Sequence, residues 1–422
     1  MKRIIVLCDG TWETALFQSG NASLTNIARL ASAILPQDAR SVPPIPQVKL
    51  YLPGIGSGEE AIIGAVKGAY GTGLLENVRL AYYFVAQNWA PGDEVALFGF
   101  SRGAYAVRLL STLISFIGIL SPLTKLHLFT KLFELPCVPR DVTSSKARKA
   151  TSELNLLLRS LEPDLEAQRR AHRYGFPISI MVLFDTVPLL HHFERSPFGT
   201  FNTALEPGTC RIILQVLSAY ENRPAYRPLV LEQSPAGLAN HQTLRQVWFP
   251  GCHTDIGGGY PAHDLSDLTF HFLIGELGDE LAFDATYAAT ISSRPEAPWG
   301  AAPPHVGVHL SSGKVRLLPT QRVAAAFPTF QSLHPSLLKQ PAAFWPESLL
   351  PLLPTLQSSY KSPADSDLWW TLNPWERSIK RDWHATTSRT AQGPTQPHGL
   401  LGLYDYERRK IRAAGDGFSH AR

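Results

Sequence analysis

Residues 96–106 read ALFGFSRGAYA, and this stretch decides the fold. An apolar run leads into Gly99-Phe100-Ser101-Arg102-Gly103, and a helix-forming run follows. A serine between two glycines at a strand-to-helix junction is typical of a nucleophile elbow, in which the serine sits in a tight, strained turn with small neighbours. We therefore expect the hydroxyl of Ser101 to project above the edge of a sheet. The alternative is a close-packed turn in which the serine has no chemical role.

An elbow also provides groups that could stabilise an oxyanion. The backbone N–H of Arg102 follows the serine at the start of the helix, where N–H groups point out of the helix. The first predicted strand ends near the elbow, so the N–H of Gly10 or Thr11 is the candidate for a second donor. The alternative is a turn that the Asp9 side chain stabilises.

A serine is a poor nucleophile without a base, and on this type of fold an acid and then a histidine follow it along the chain. Asp185 ends the apolar run ISIMVLFDTV at residues 178–187, where a carboxylate is costly unless it is paired. His253 lies in the glycine-rich stretch PGCHTDIGGGY at residues 250–260. Asp255 is a rival acid; a turn cap for Asp185 and a structural role for His253 are the alternatives. Weaker histidine candidates are His172, His191, His192, His241 and His263.

Strand-like and helix-like runs alternate along the first two thirds of the chain, which indicates an α/β fold with a mostly parallel sheet and helices on both faces. We predict an α/β-hydrolase-like catalytic domain over residues 1–290, with a helical cap inserted at 120–176. Residues 291–422 are predicted to form an irregular, proline- and tryptophan-rich extension that packs on the core. The predicted strands are 3–8, 48–56, 93–100, 178–187 and a short strand from 245, and the predicted helices are 25–34, 74–90, 102–119 and 265–277.

Composition excludes several other classes. The net charge of +4 over 422 residues does not suggest nucleic-acid binding. The four cysteines form no CxxC pair, so neither a zinc nor a redox motif is present, and reduced thiols in a cytoplasmic protein are expected. The longest uncharged stretch, 109–124, is too short to span a bilayer. We expect no metal and no cofactor.

Six motifs then occur in a familiar order. They are CDGTW (8–12), TNIARL (25–30), YLPGIGSG (51–58), GFSRGAYAVR (99–108), FDTV (184–187) and VWFPGCHTDIGGGY (247–260). The chain resembles, over roughly residues 1–290, the catalytic-domain family of type VI secretion phospholipase effectors, formerly a domain of unknown function. Stand-alone versions common in fungi look most similar.

The resemblance implies an α/β-hydrolase-like fold and a serine hydrolase, with the family's serine, aspartate and histidine on Ser101, Asp185 and His253. The bacterial effectors act on phospholipid esters. One departure concerns the Ala-Leu-Asp-Glu-like run that family members carry before an arginine. This chain has Tyr220 at the aspartate, followed by Glu221 and then Arg223. Glu221 thus joins Asp9 and Asp255 as a possible supporting residue, and the triad acid stays open.

The sequence therefore predicts a serine hydrolase that cleaves lipid or small-molecule carboxylic esters through an acyl-enzyme. Two alternatives remain. The same triad could transfer an acyl group or cyclise a biosynthetic intermediate, or the fold could serve as a non-catalytic binding module.

Overall fold

The structure is a computed structural model, and it describes separate stretches along the whole chain. The described residues are 1–10, 24–54, 70–120, 152, 155–156, 159, 166–168, 170–171, 174–188, 204–205, 208–221, 223, 226–233, 237–292, 294–305, 309–311, 314–316, 331–345, 351, 353–361 and 368–384.

Strands and helices alternate in the order expected of an α/β protein. The strands are β1 (Arg3–Cys8), β2 (Gln37–Asp38), β3 (Ile45–Leu52), β4 (Glu94–Phe100), β5 (Ile178–Phe184), β6 (Ala204–Leu205), β7 (Cys210–Ser218), β8 (Glu232–Gln233), β9 (Thr243–Phe249), β10 (His309–Ser311), β11 (Lys314–Arg316) and β12 (Gln331–Leu333). The helices are α1 (Asn26–Ala33), α2 (Tyr70–Asn88), α3 (Arg102–Ile117), α4 (His253–Gly257), α5 (Asp264–Leu277), α6 (Ala285–Ile291), α7 (Leu353–Lys361) and α8 (Pro374–Asp382).

Among the described residues, eight strands form one sheet in the order β12-β9-β7-β5-β4-β1-β3-β2. All neighbours in it are parallel except β2, which runs antiparallel to β3 at one edge. The predicted mostly parallel α/β fold is confirmed. Because parallel strands end at the same edge, the residues that follow β4, β5, β7 and β9 meet there.

Helices cover both faces of the sheet. Along β1, Ile4 and Val6 belong to a cluster with α2 and α3, whereas Ile5 and Leu7 belong to a cluster with α1 and α5. This alternation follows from the two-residue period of a strand, and burial of both faces explains why RIIVLC is continuously apolar. Among the helices that the structure describes, none is both long and apolar enough to cross a membrane.

Two stretches differ from the sequence-based expectation. β7 was not among the predicted strands, yet it lies inside the sheet between β5 and β9. β12 belongs to the stretch predicted to be an irregular extension, and it forms the edge of the main sheet beside β9. The predicted cap at 120–176 lies mostly outside the described residues. Cys8, Cys210 and Cys252 are buried free thiols, and Cys137 also lies outside the described part.

The contact between α3 and the end of β1 requires glycine at position 103. A Cβ added there would lie 2.3 Å from the Cys8 carbonyl oxygen and 2.4 Å from that of Asp9. Both obstacles are backbone atoms at the carboxyl end of β1, so neither can yield without moving that strand. Gly103 therefore fixes how closely the helix after Ser101 approaches the sheet.

We predict that Gly103→Ala destabilises the protein by about 2–3 kcal/mol, the usual cost of forcing atoms into a packed core. Urea unfolding of the variant measures this free energy. Gly278→Ala is the matched control, since its added Cβ would lie 3.2 Å from the Ile274 carbonyl oxygen and 3.9 Å from that of Gly275. Equal stability of the two variants would contradict this account of the packing.

Candidate active site

Ser101 lies at the tight turn between β4 and α3. Its φ of 57° and ψ of −121° place it in a region that non-glycine residues rarely adopt. Its N–H donates to the Phe184 carbonyl at 2.9 Å, and its own carbonyl accepts from the N–H of Val187 at 3.3 Å. Both bonds tie the turn to the end of β5, so the strain is held by the neighbouring strand. The side chain is buried, with 5% of the residue exposed.

Asp185 follows β5 directly and lies beside this turn. It too has a positive φ, 41°, and it is fully buried. Its N–H donates to the Val216 carbonyl of β7 at 2.8 Å, and its Oδ1 accepts from the N–H of Ser218 at 3.2 Å. The carboxylate is thereby held at the carboxyl edge of the sheet, with Oδ2 turned toward the histidine.

His253 is the first residue of α4, which follows β9 and Gly251. Its Nδ1 lies 2.6 Å from Asp185 Oδ2, and its backbone N–H donates to Glu221 Oε2 at 3.2 Å. The short helix is also held from α1, because Asn26 Nδ2 donates to the Ile256 carbonyl at 3.1 Å. The predicted acid and histidine are therefore in direct contact.

The other ring nitrogen of His253 has no such partner. His253 Nε2 is buried, and no hydrogen bond to it is formed by any described residue, Ser101 Oγ included. The imidazole lies between two aromatic rings, with centroid distances of 4.8 Å to Phe100 and 4.9 Å to Tyr226. Because Phe100 adjoins Ser101, the turn and the imidazole share one edge of the sheet. The residue before Ser101 thus contacts the imidazole, while no hydrogen bond joins Ser101 to His253 Nε2.

Burial controls the proton affinity of this imidazole. It lowers the pKa of His253 below the ordinary value of 6.5, although the Asp185 carboxylate opposes the shift. The ring is therefore neutral at neutral pH. With Nδ1–H donated to Asp185, the lone pair of a neutral ring lies on Nε2.

Glu221 bonds to the backbone N–H of His253, whereas Asp185 bonds to the ring. Its side chain is fully buried and pairs with Arg223, whose Nε and Nη2 lie 2.9 Å and 2.8 Å from its two oxygens. The guanidinium of Arg223 stacks on the Tyr226 ring at 3.6 Å. Glu221 thus contacts the backbone N–H of His253 directly, and it is connected to the His253 ring through Arg223 and Tyr226.

Asp255, the other rival acid, is bound elsewhere. Its Oδ1 lies 2.6 Å from His305 Nδ1, and its Oδ2 accepts from the N–H groups of Cys252 and His305. It therefore caps α4 and holds the segment around His305 in place. The His305 ring also stacks on the Tyr260 ring, with 4.0 Å between the centroids. Of the three acids considered from the sequence, Asp185 is the one on the ring of His253.

Asp9 stabilises the turn after β1. Its Oδ1 accepts the N–H of Gly10 at 2.8 Å, and its Oδ2 accepts the hydroxyls of Thr25 and Tyr51. Burial raises the pKa of Asp9 to about 6 against these three bonds. In this conformation the Gly10 N–H is occupied by Asp9, which matches the alternative considered for this turn and not an oxyanion donor. Thr11 lies outside the described residues.

The remaining candidate donor and histidines are placed as follows. Arg102 is the first residue of α3, so its N–H lies at the start of the helix, next to Ser101. His263 lies 2.9 Å from Asp267, which pairs with the buried Arg29. His241 packs on Tyr174, away from the elbow. His172, His191 and His192 lie outside the described residues.

One group of side chains has the composition of a metal site. Ligand atoms of His263, Asp264 and Asp267 lie within 4.8 Å of one another. Asp267 is already paired with Arg29, and Asp264 accepts the N–H groups of Glu296 and Ala297. These internal partners account for the cluster.

Two residues of the site were not found from the sequence. Tyr226 comes from an irregular stretch with no motif spacing, and His305 lies 50 residues from its partner Asp255. Arg223 was noted as the arginine of the run that includes Tyr220 and Glu221, but its ion pair with Glu221 was not predicted. Nothing in the sequence indicated the Tyr226 contact.

Comparison with known proteins gives a family and a few distant relatives. A family model described as "T6SS, Phospholipase effector Tle1-like, catalytic domain" matches residues 2–276. A 133-residue stretch is 32% identical to the uncharacterized protein YEL023C of Saccharomyces cerevisiae, covering 28% of this chain and 18% of that protein.

Two solved structures are also similar. The structure of the Tle1 effector bound to the VgrG spike from the type 6 secretion system is 18% identical, with 61% of this chain and 51% of that chain covered and a TM-score of 0.34. An uncharacterized protein from Pseudomonas aeruginosa is 15% identical, with coverages of 98% and 59% and a TM-score of 0.31. The chain spans less than two thirds of each of these relatives.

We predict that Glu221→Gln lowers the free energy of unfolding by about 2 kcal/mol, because it weakens charged hydrogen bonds that are closed off from water. Glu280→Gln is the matched control. That residue also pairs with an arginine through two bonds, but 28% of its side chain is exposed. Its loss is expected to cost about 0.5 kcal/mol. Urea unfolding compares the two, and a larger effect at Glu280 would contradict the role given to Glu221.

Proposed function

We propose that this chain, which belongs to the family of Tle1-like phospholipase effector catalytic domains, is a serine hydrolase that cleaves carboxylic esters through an acyl-enzyme. Family membership indicates lipase or esterase activity. The observation that supports the finer proposal is the contact of 2.6 Å between His253 and the buried Asp185, at the sheet edge where Ser101 occupies a strained elbow.

In the proposed mechanism the hydroxyl oxygen of Ser101 attacks the ester carbonyl carbon. His253 Nε2 accepts the hydroxyl proton and then gives it to the departing alcohol. Water, deprotonated by the same nitrogen, releases the acid and restores the serine. Asp185 holds the imidazole in the tautomer with its proton on Nδ1 and stabilises the imidazolium that forms. The missing bond between serine and histidine is expected to form when substrate binds, as is common for catalytic contacts in unliganded enzymes.

The oxyanion that forms on the carbonyl oxygen needs donors at the elbow. Arg102 is proposed as one of them, because its N–H lies at the start of α3 next to the nucleophile. Thr11 remains the proposed second donor, since the N–H of Gly10 is bound to Asp9. Asp9, Glu221 and Asp255 are proposed as supporting residues that fix the turns carrying Gly10, His253 and α4.

The substrate class follows from the family and the surroundings. We propose a lipid ester or an apolar small-molecule ester, since the rings of Phe100 and Tyr226 flank the imidazole. Residues 1–290 are proposed to form the catalytic unit, with 120–176 and the segment after 290 supplying pocket walls. We also propose that the protein is cytoplasmic.

The experiment that tests the mechanism is labelling with a fluorophosphonate probe, together with hydrolysis of p-nitrophenyl esters of increasing chain length. Wild type is expected to be labelled, and Ser101→Ala is expected to lose labelling and hydrolysis. Ser111→Ala is the matched control. Ser111 lies on α3, the helix that follows Ser101; it is buried, and its Oγ has no partner among the described residues. Folded wild-type protein that is never labelled would refute the proposal, and products formed with added alcohol separate hydrolysis from acyl transfer.

The lowered pKa of His253 predicts the pH profile. The base must be neutral, so kcat/KM is expected to rise with pH along a limb whose midpoint lies below 6.5 and then to level off. Asp185→Asn removes the carboxylate that raises this pKa, so the limb should move to still lower pH while kcat falls roughly 10³–10⁴-fold. An acid limb above pH 6.5 in wild type, or an unmoved limb in the variant, would contradict the assignment.

A further inference from the structure

A cavity lies beyond the edge strand β12, separate from the turn at Ser101. Its volume is about 710 Å³, within the range typical of small-molecule sites. Pro335, which lines it, comes just after the carboxyl end of β12. Four strand spacings separate β12 from β4, roughly 19 Å at the usual distance between strands. The described lining residues are Pro335, Ser359, Tyr360, Trp369, Trp370, Thr371, Leu372, Arg377, Lys380 and Arg381.

One wall of this cavity is aromatic and fixed in place. The Trp369 ring meets the Tyr360 ring edge-on at 5.5 Å, and its indole N–H donates to Ser359 Oγ at 2.9 Å. Trp370 packs against Phe272 of α5 and donates its indole N–H to Glu376. With both indole N–H groups engaged inside the protein, the rings offer apolar surface to the cavity. This wall suits a hydrocarbon or other apolar group.

The lining residues from α8 are cationic. Arg377, Lys380 and Arg381 come from α8 with the three- and four-residue spacing that puts side chains on one face of a helix. No acidic side chain is among the described lining residues. Arg381 is paired with Asp382, so Arg377 and Lys380 carry most of the excess positive charge. Arg377 Nη1 donates to the Leu372 carbonyl, and Lys380 Nζ lies 4.3 Å from the centre of the Trp299 ring, so neither cation is paired with an acid through these contacts. Burial and the neighbouring Lys339 lower the pKa of Lys380, as expected for a cation that an anion would stabilise.

The helix that carries these cations is held rigidly. Asn373 and Glu376 form a reciprocal capping box at its start, and Glu376 Oε1 also lies 3.0 Å from the buried His334 Nε2. His334 follows β12, so the start of α8 is fixed to the edge of the main sheet. The carboxylate of Glu376 also accepts from the Trp370 indole and the Asn373 N–H, and Glu376 is not among the described residues that line the cavity.

From the juxtaposition of this aromatic wall with Arg377 and Lys380, we propose a binding site for an anionic phospholipid, with its phosphate on the two cations and its apolar part on the indole rings. Guanidinium and ammonium groups are the common partners of phosphate, and the tryptophan and tyrosine rings supply apolar contact area. The site is distinct from the ester-cleaving centre and does not depend on the reaction proposed for it.

The test is calorimetric titration of the full-length Ser101→Ala protein with dihexanoyl phosphatidic acid kept below its micelle concentration, so that no lipid is cleaved. We expect saturable binding that Arg377→Gln/Lys380→Gln weakens roughly tenfold or more, since charged hydrogen bonds to the phosphate are lost. Arg294→Gln is the control, an exposed arginine that does not line the cavity, and it should bind as the parent does. Inorganic phosphate alone should bind far more weakly than the lipid.

Several outcomes would overturn the proposal. They are the absence of binding, binding that the double variant leaves unchanged, and inorganic phosphate that binds as tightly as the lipid. Arg377 is exposed and Lys380 is half-buried, so a thermal melt verifies folding of the double variant. Their substitution in the wild-type background should leave hydrolysis of p-nitrophenyl butyrate unchanged, so failure here is distinguishable from failure of the proposed ester chemistry.

Discussion

The backbone of Ser101 is the constraint on which the rest of the site depends. A serine held at a φ of 57° carries a conformational cost of about 1–3 kcal/mol, and it persists only where the surroundings leave it no alternative. Here the surroundings are the end of β5, which binds both the N–H and the carbonyl of Ser101, and α3, which Gly103 allows to lie against the end of β1. The strain therefore places a hydroxyl at the sheet edge and leaves it little freedom to turn away.

Strand order then determines which residues can meet that hydroxyl. β4, β5, β7 and β9 are consecutive neighbours and all parallel, so their carboxyl ends form one row. Ser101 follows the first, Asp185 the second, Ser218 ends the third and the loop to His253 follows the fourth. Each strand thus contributes to the same small volume, and the bond from Ser218 N–H to Asp185 shows that even β7, which carries no reacting group, positions the acid.

The sequence predicted those residues at the sheet edge whose residue types and local pattern both pointed to a site. The elbow, the strand-end aspartate and the glycine-rich histidine turn were all identified, because apolar strands and tight turns leave short-range signals. The choice among Asp185, Asp255 and Glu221 could not be made, since it depends on partners 68 and 50 residues apart. β7 was missed because polar residues interrupt its apolar pattern. One of them, Gln215, is buried by bonding to the Leu229 carbonyl, a contact that no local pattern reveals.

The arrangement of hydrogen bonds around His253 gives the final step. Its N–H is bound to Glu221, its Nδ1 to Asp185, and Asp185 in turn to Ser218. Within the described part of the chain, Nε2 is the ring atom left without a bond, although burying a polar atom unbonded costs about 1–3 kcal/mol. A nitrogen already bonded within the protein could not serve as the base, so an unbonded Nε2 is compatible with the proton transfer that we propose from Ser101.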